Sequence, residues 1–214
     1  APVVTALSIL DKHTIIFTNQ LGGKAGEFTG KNDTTAVTFR QNDLCAVNVT
    51  AGDAWPYFSG DGSPPPNEPD YSDNIDLNTE IGDVHRYQFG GYDCLLMTLI
   101  SPNKPSAGTP SVVFDNDDIF RLHLSQDDLQ DPDNLDSWGY AELDLDLDMG
   151  EYFEENEKVG AVGMLQDGTI LFSLKDKNAK LKKPPYGSGG PFQPYQVIKF
   201  NPYAGDSTKF SLYL

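Results

Sequence analysis

The 214 residues include 32 acidic and 15 basic side chains, which give a formal net charge of −17, and 38% of the residues are hydrophobic. This negative charge repels polyanions, so nucleic acid is not an expected partner. The hydrophobic content is too high for a disordered chain, and no run approaches the roughly 18 apolar residues of a membrane-spanning helix. The sequence predicts one all-β domain over residues 1–214, with a substantial core.

Four strands are predicted in the first part of the chain. They are rich in apolar and β-branched residues, and they cover residues 3–10, 13–20, 35–41 and 45–50. The first two form a predicted hairpin with a turn at Asp11 and Lys12. Residues 21–30 are rich in glycine and are predicted to form a loop.

A proline-rich segment separates this part from the next. Residues 59–74 contain four prolines among Gly, Ser, Asp and Asn, which predicts a long exposed loop. The strand pattern then resumes, and the predicted strands cover residues 84–89, 94–101, 118–125 and 141–149. In the last of these, leucine and methionine alternate with acidic residues, which indicates one buried and one solvated face.

The last part of the chain repeats the pattern. Its predicted strands cover residues 159–165, 169–175, 195–200 and 209–214, with a tight turn at Asp167 and Gly168. Residues 159–173 align without gaps on residues 4–18, with six identities, and more faintly on residues 84–98. The sequence therefore predicts three four-stranded repeats, at about 3–58, 81–149 and 158–214.

Short segments of these repeats resemble a known family. The segments are DGTILFS at 167–173, DDIFRL at 117–122 and QVIKF at 196–200. They resemble the blades of secreted β-propeller proteins, in which an apolar strand, a D-G turn and a T-[IL]-L-F-S strand precede a D-D-I-x-R-F segment. The resemblance implies propeller-like repeats, each a twisted four-stranded sheet whose inner strand is crowded by its neighbours.

Three blades do not close a propeller ring. We therefore expect either a homodimer with six blades or a longer protein of which this chain is a part. A β-trefoil, which also has three four-stranded repeats, and a two-sheet β-sandwich remain as alternatives.

Several features predict a secreted, extracellular glycoprotein. The chain begins Ala1-Pro2, as expected of a mature form without its signal peptide. Asn32 and Asn48 each begin an N-x-Thr sequon for glycosylation. The two cysteines, Cys45 and Cys94, could form one disulfide in an oxidising compartment or remain separate buried thiols.

Two acidic segments predict calcium as a structural ion. In the later one, aspartates alternate with leucines and are followed by Gly150 and Glu155, which is close to the spacing of an EF-hand-like loop. The alternative is that these aspartates form the solvated face of a strand and protect its edge from aggregation. The candidate ligands are Asp115, Asp117, Asp118, Asp144, Asp146 and Asp148.

No sequence pattern indicates catalysis. His13, His85 and His123 lack the spacing of a zinc site, and there is no G-x-S-x-G nucleophile motif. Carboxylate pairs of the glycosidase type remain open because 32 acidic residues offer many pairs. We expect binding rather than an enzymatic activity, with a propeller-type metal-dependent hydrolase and a self-assembling structural protein as alternatives.

Aromatic residues between the strands suggest a ligand site. The candidates are Trp55, Tyr57, Tyr71, Trp138 and Tyr140. Sugar rings or a protein partner could stack on such side chains, although the same residues could instead anchor long loops to the core. The sequence thus predicts a lectin-like binding or adhesion module with a glycan or protein ligand.

Overall fold

In the residues that the computed structural model describes, the chain is all-β apart from one short α-helix and a 3-10 turn. The described residues are 4–20, 23–30, 33–58, 60, 75–77, 80–89, 92–100, 106–107, 112–113, 118–124, 141–155, 157–182, 186 and 191–214. Among the helical segments in these ranges, none combines the length and the apolar composition needed to cross a membrane.

The strands are numbered in chain order. They are β1 (Val4–Ile9), β2 (Thr14–Asn19), β3 (Gly23–Gly30), β4 (Asp33–Phe39), β5 (Leu44–Asn48), β6 (Ala54–Phe58), β7 (Ile75–Asp76), β8 (Ile81–Phe89), β9 (Tyr92–Leu99), β10 (Ser106–Ala107), β11 (Val112–Val113), β12 (Ile119–Leu124), β13 (Ala141–Leu147), β14 (Val159–Met164), β15 (Ile170–Leu174), β16 (Ile198–Phe200) and β17 (Phe210–Leu212). The helix α1 is Met149–Tyr152, and the 3-10 turn is Asp206–Thr208.

Three antiparallel sheets of four strands dominate the fold. We call β1-β2-β5-β6 the first sheet, β8-β9-β12-β13 the second sheet and β14-β15-β16-β17 the third sheet. In each sheet the chain proceeds from one edge strand to the other in sequence order. A hairpin of β3 and β4 and a small sheet of β7, β10 and β11 accompany them. The described residues do not form a closed barrel or a closed ring.

The first strand of each four-stranded sheet has a β-bulge at the same place. The bulge follows the first cross-strand pair, so the extra residue is Thr5, Gly82 or Gly160. The pairs that flank the three bulges are Val4↔Asn19 and Ala6↔Thr18, Ile81↔Leu99 and Asp83↔Thr98, and Val159↔Leu174 and Ala161↔Ser173. The three hairpins can therefore be compared position by position.

This register corrects the ungapped alignment of the second hairpin. The structure places Ile81, rather than Val84, at the position of Val4. The reason is that the second hairpin, residues 81–99, is three residues longer than the first, residues 4–19. The extra residues lie between Arg86 and Leu95, so the alignment holds only for the second strand of the hairpin.

The region around residues 21–30 differs from the predicted loop. Residues 23–30 form β3, which pairs with β4 over its length. Glycines interrupt the alternation that identifies a strand, but pairing with β4 satisfies the backbone polar groups. The segment that follows β5 is also a strand, β6, and Pro56 is tolerated there because β6 is an edge strand of the first sheet.

The predicted hairpin turns are present. The Asp11 carboxylate accepts hydrogen bonds from the backbone N–H groups of His13 at 2.7 Å and Thr14 at 2.9 Å. The Asp167 carboxylate accepts one from Thr169 N–H at 3.0 Å, and Gly168 has a φ of 82°, a conformation that favours glycine. Local side-chain chemistry thus determines where both hairpins reverse.

The second sheet packs between the other two. Ile16 and Leu44 of the first sheet contribute to one core with Leu95 of the second. Leu96, the next residue, contributes to another core with Phe172 of the third sheet. Because successive residues of a strand point to opposite faces, β9 contributes to both cores. Each fully buried large apolar side chain contributes about 1.5–3 kcal/mol, so these two interfaces supply much of the stability.

Candidate functional site

Two of the aromatic residues predicted to form a ligand site, Trp55 and Tyr57, are within the described residues, and both are part of the core. Tyr57 is 1% exposed, so its ring presents no open face to a ligand. Trp55 is partly buried and packs against the same core between the first and second sheets. Tyr71, Trp138 and Tyr140 lie outside the described residues.

The two acidic segments meet at one end of the second sheet, because Ile119 pairs with Leu147. The buried Asp118 accepts a hydrogen bond from Met149 N–H at 3.3 Å. Asp148 is the N-cap of α1 and accepts one from Glu151 N–H at 3.0 Å. These carboxylates therefore stabilise the start of the helix.

The other metal candidates are described only in part. Asp144 and Asp146 belong to β13, but their side chains lie outside the described part of the structure, as do Asp115 and Asp117 entirely. Within the described residues, no three His, Cys, Asp or Glu side chains are grouped so that they could hold a metal ion.

The two cysteines lie in different sheets and are not joined by a disulfide. Cys45 lies on β5 and Cys94 on β9, and both are buried. Burial, and secondarily the nearby charge of Asp43, raises the pKa of the Cys45 thiol to about 12. A thiol with so high a pKa forms little reactive thiolate near neutral pH.

Asn48, the described sequon residue, ends β5. Its side-chain oxygen accepts hydrogen bonds from Thr50 N–H and Ala51 N–H, both at 3.0 Å, and so forms an Asx turn. Thr50 and Ala51 are exposed. Asn32 lies outside the described residues.

Several titratable groups lie between the second and third sheets. Burial raises the pKa of the Asp83 carboxyl, although hydrogen bonds from the backbone N–H groups of Val162 and Val84 act against this. Burial lowers the pKa of His85, which donates a hydrogen bond to the backbone of Met164. Asp83 and His85 therefore connect β8 to β14 and serve a structural role.

A polar pocket of about 200 Å³ lies between the segment that follows α1 and the turn that follows β15. We call it the Glu157 pocket, and its lining residues are Glu154, Glu155, Glu157, Lys177, Asn178 and Lys180. Glu154 N–H donates to the Lys180 carbonyl at 2.9 Å, and Lys182 N–H donates to the Tyr152 carbonyl at 2.7 Å. These bonds join the two walls, although the walls are far apart in sequence.

Asn178 is fixed in one wall by its backbone and its side chain. Its φ is 60°, a left-handed conformation that Asn adopts more readily than most residues. Its side-chain oxygen accepts a hydrogen bond from Gln193 Nε2 at 2.9 Å. The adjacent Ala179 forms a β-bridge with Phe192, which attaches this wall to the rest of the chain.

Glu157 distinguishes this pocket from an ordinary charged surface. The residue is 5% exposed, so most of its side chain is removed from water, and it lines the pocket. Leaving water is costly for a charged carboxylate, so burial favours the neutral form of the side chain. Burial is the main reason that its pKa is raised, and repulsion by Asp176 and Glu155 adds to the effect. Asp176 itself accepts a hydrogen bond from Lys158 N–H at 2.8 Å.

The lining residues determine what the Glu157 pocket can do. The glutamates supply hydrogen-bond acceptors, and the exposed Lys177 and Lys180 supply donors. The six lining residues include no histidine, serine or cysteine, so they offer none of the usual nucleophile and base pairs. The pocket is therefore suited to binding a polar ligand.

No protein-family model matches the sequence, and no curated protein is significantly similar to it. The functional conclusions therefore depend on the residues of this chain.

Proposed function

We propose that the protein is a secreted, lectin-like binding module whose ligand is a glycan and whose binding site is the Glu157 pocket. The observation that carries the proposal is the buried Glu157, whose carboxyl has a raised pKa, in a polar pocket. A ligand that donates a hydrogen bond to this carboxylate, or places a positive charge beside it, would offset the solvation that the carboxylate loses on burial.

A glycan matches the pocket because sugar hydroxyl groups both donate and accept hydrogen bonds. They would donate to the glutamates and accept from Lys177 and Lys180. The volume of about 200 Å³ is below the usual range for drug-sized ligands, which favours a single sugar unit of a longer glycan. An amino sugar is the preferred unit, because its ammonium group would pair with Glu157 and because the chain has a net charge of −17.

The test is a comparison of immobilised oligosaccharides of glucosamine, N-acetylglucosamine and a sulfated sugar. We expect the glucosamine oligomer to bind most strongly and the sulfated one least. Glu157→Gln removes the charge and keeps the size, so it should weaken binding by roughly tenfold or more, since a hydrogen bond to a charged group contributes about 1.5–3 kcal/mol.

Glu151→Gln is the matched control, because Glu151 is exposed and does not line the pocket. It should bind as the wild type does. Equal binding by Glu157→Gln and the wild type would refute the assignment of the pocket. Binding of a protein ligand without any glycan binding would refute the ligand class.

We also propose that the three sheets are consecutive blades of a propeller-type arrangement. Their chain-ordered strands, their equivalent bulges and their face-to-face packing support this proposal. The first strands β1, β8 and β14 would be the inner strands, and β8 lies beside both of the others.

A further inference from the structure

Equivalent positions on β8 and β14 form the two contacts between neighbouring sheets. On β8, Ile81 and Val84 face the first sheet and are buried in the core shared with it. On β14, Val159 and Val162 occupy the equivalent positions and pack in the core shared with the second sheet. These positions are therefore where each sheet contacts the sheet that precedes it.

On β1 the equivalent positions are apolar but exposed. Val4 is 53% exposed and Leu7 is 50% exposed. Ile9, two residues further along the same face, is 65% exposed. We call Val4, Leu7 and Ile9 the open face of the first sheet. These exposed residues have the chemistry of the two buried interfaces. The β3–β4 hairpin packs on the same face of the first sheet over β5 and β6, so the open face is the part of that face at the β1 edge.

The residues on the other face of each first strand contact the sheet that follows in the chain. Ser8 of β1 accepts a hydrogen bond from Arg86 N–H at 2.9 Å, and the Arg86 guanidinium donates to the Leu10 carbonyl at 3.0 Å. One sheet further on, Asp83 accepts a hydrogen bond from Val162 N–H at 2.8 Å. Each junction thus combines an apolar contact with a side-chain hydrogen bond to the next inner strand.

On β14 the residues at these positions have small side chains or none, and they leave space in front of the strand. Ala161, which corresponds to Ala6 and Asp83, is exposed. Gly163, which corresponds to Ser8 and His85, has no atom within 4 Å of the place where a Cβ would lie. We call Ala161 and Gly163 the open face of the third sheet. It offers room for large side chains, which the open face of the first sheet presents.

We propose that these two faces bind each other in two copies of the chain. The first sheet of one copy would pack on the third sheet of the other, and reciprocally, so that six sheets close into one ring. The occupant is a second copy because the contact would repeat the packing between neighbouring sheets, which the chain already forms twice. The large apolar residues of the open face of the first sheet would also fit against the small residues of the open face of the third sheet. Each such contact joins two different surfaces of the chain. A contact of this kind produces a closed ring when the rotation between successive units adds up to a full turn.

This inference depends on the propeller-type arrangement proposed above and is independent of the Glu157 pocket. Light scattering of the wild type should give the mass of two copies. Leu7→Asp places a charge in the contact and should yield single copies, with the dissociation constant raised by roughly tenfold or more. Gly163→Trp fills the opposite face and should have the same effect.

Mixing the two variants makes the test specific. Leu7→Asp retains a normal third sheet and Gly163→Trp retains a normal first sheet, so one intact contact should restore a two-copy complex. Leu212→Asp is the control, because Leu212 is 47% exposed on β17, at the outer edge of the third sheet and away from both faces, and it should behave as the wild type does.

Three outcomes would overturn the inference. They are a wild-type mass of one copy at about 100 µM, a mass above two copies, and a two-copy complex that neither Leu7→Asp nor Gly163→Trp disrupts. Circular dichroism of each variant confirms that a change of mass is not unfolding. Glycan binding measured on the same samples reports separately on the Glu157 pocket.

Discussion

The Asp83 carboxylate accepts a hydrogen bond from the backbone N–H of Val162 at 2.8 Å, and this bond ties the second sheet to the third. Asp83→Ala removes the acceptor and leaves a half-buried N–H group without a partner. It should lower the free energy of unfolding by about 1–3 kcal/mol, measured by urea denaturation. Asp83→Asn retains an acceptor oxygen and should cost less. Equal losses in the two variants would contradict this role for the hydrogen bond.

His85 should make the protein sensitive to mild acid. Burial lowers its pKa below the ordinary 6.5, so the folded state favours the neutral ring. The unfolded chain therefore binds the proton first, and stability is lost as the pH falls from about 6.5 to the folded pKa. His85→Gln still donates a hydrogen bond but does not titrate in this range.

The measurement is the difference in unfolding free energy between the wild type and His85→Gln at several pH values from 7 to 5. We expect the wild type to lose relative stability over this interval. The raised pKa values of Asp83 and Glu157 act in the opposite direction, but they are present in both proteins and cancel in the difference. A constant difference would contradict the assigned pKa shift.

Glu157 should destabilise the ligand-free protein at neutral pH. Its pKa is raised above the ordinary 4.5, so the folded state binds a proton more tightly than the unfolded chain does. Stability then falls as the pH rises from about 4.5 through the folded pKa. Glu157→Gln should therefore melt at a higher temperature than the wild type at pH 7, with the gain disappearing near pH 4. A lower melting temperature at pH 7 would show that the carboxylate has stabilising partners.

The cysteines should be inaccessible in the folded protein. Both are buried thiols outside any disulfide, and the pKa of Cys45 is raised to about 12 by burial. A thiol reagent at pH 8 should label neither residue until the chain unfolds. Mass spectrometry after unfolding without a reductant should then show two labels. No labels under those conditions would show that Cys45 and Cys94 form a disulfide instead.

Local patterns in the sequence predict much of the fold. The hairpin turns at Asp11 and Asp167 depend on side chains within three residues of each turn, so they can be read directly. The sequence does not predict strand β3 because its glycines hide the alternation, and pairing with β4 stabilises the strand. The longer second hairpin was misaligned because no residue marks where its three extra positions lie.

The candidate site could not be predicted in the same way. Glu157 is one of 32 acidic residues, and its burial, which it shares with Asp43 and Asp118, distinguishes it from most of the others. That burial arises from a wall some 20 residues further along the chain, around Asn178, which is positioned by bonds to Gln193 and Phe192. For Trp55 and Tyr57 the sequence predicts a ligand site that the structure does not show. Aromatic residues between strands are equally typical of the core, where both are found.

The most direct test of the account is calorimetric titration of the protein with a glucosamine oligosaccharide near pH 5, in two buffers of different ionisation enthalpy. Pairing Glu157 with the ammonium group of the ligand lowers the raised pKa of this carboxyl, so binding should release protons in the wild type. Glu157→Gln should bind more weakly and release fewer protons. Equal affinity and equal proton release in the two proteins would contradict the central claim that Glu157 binds the ligand.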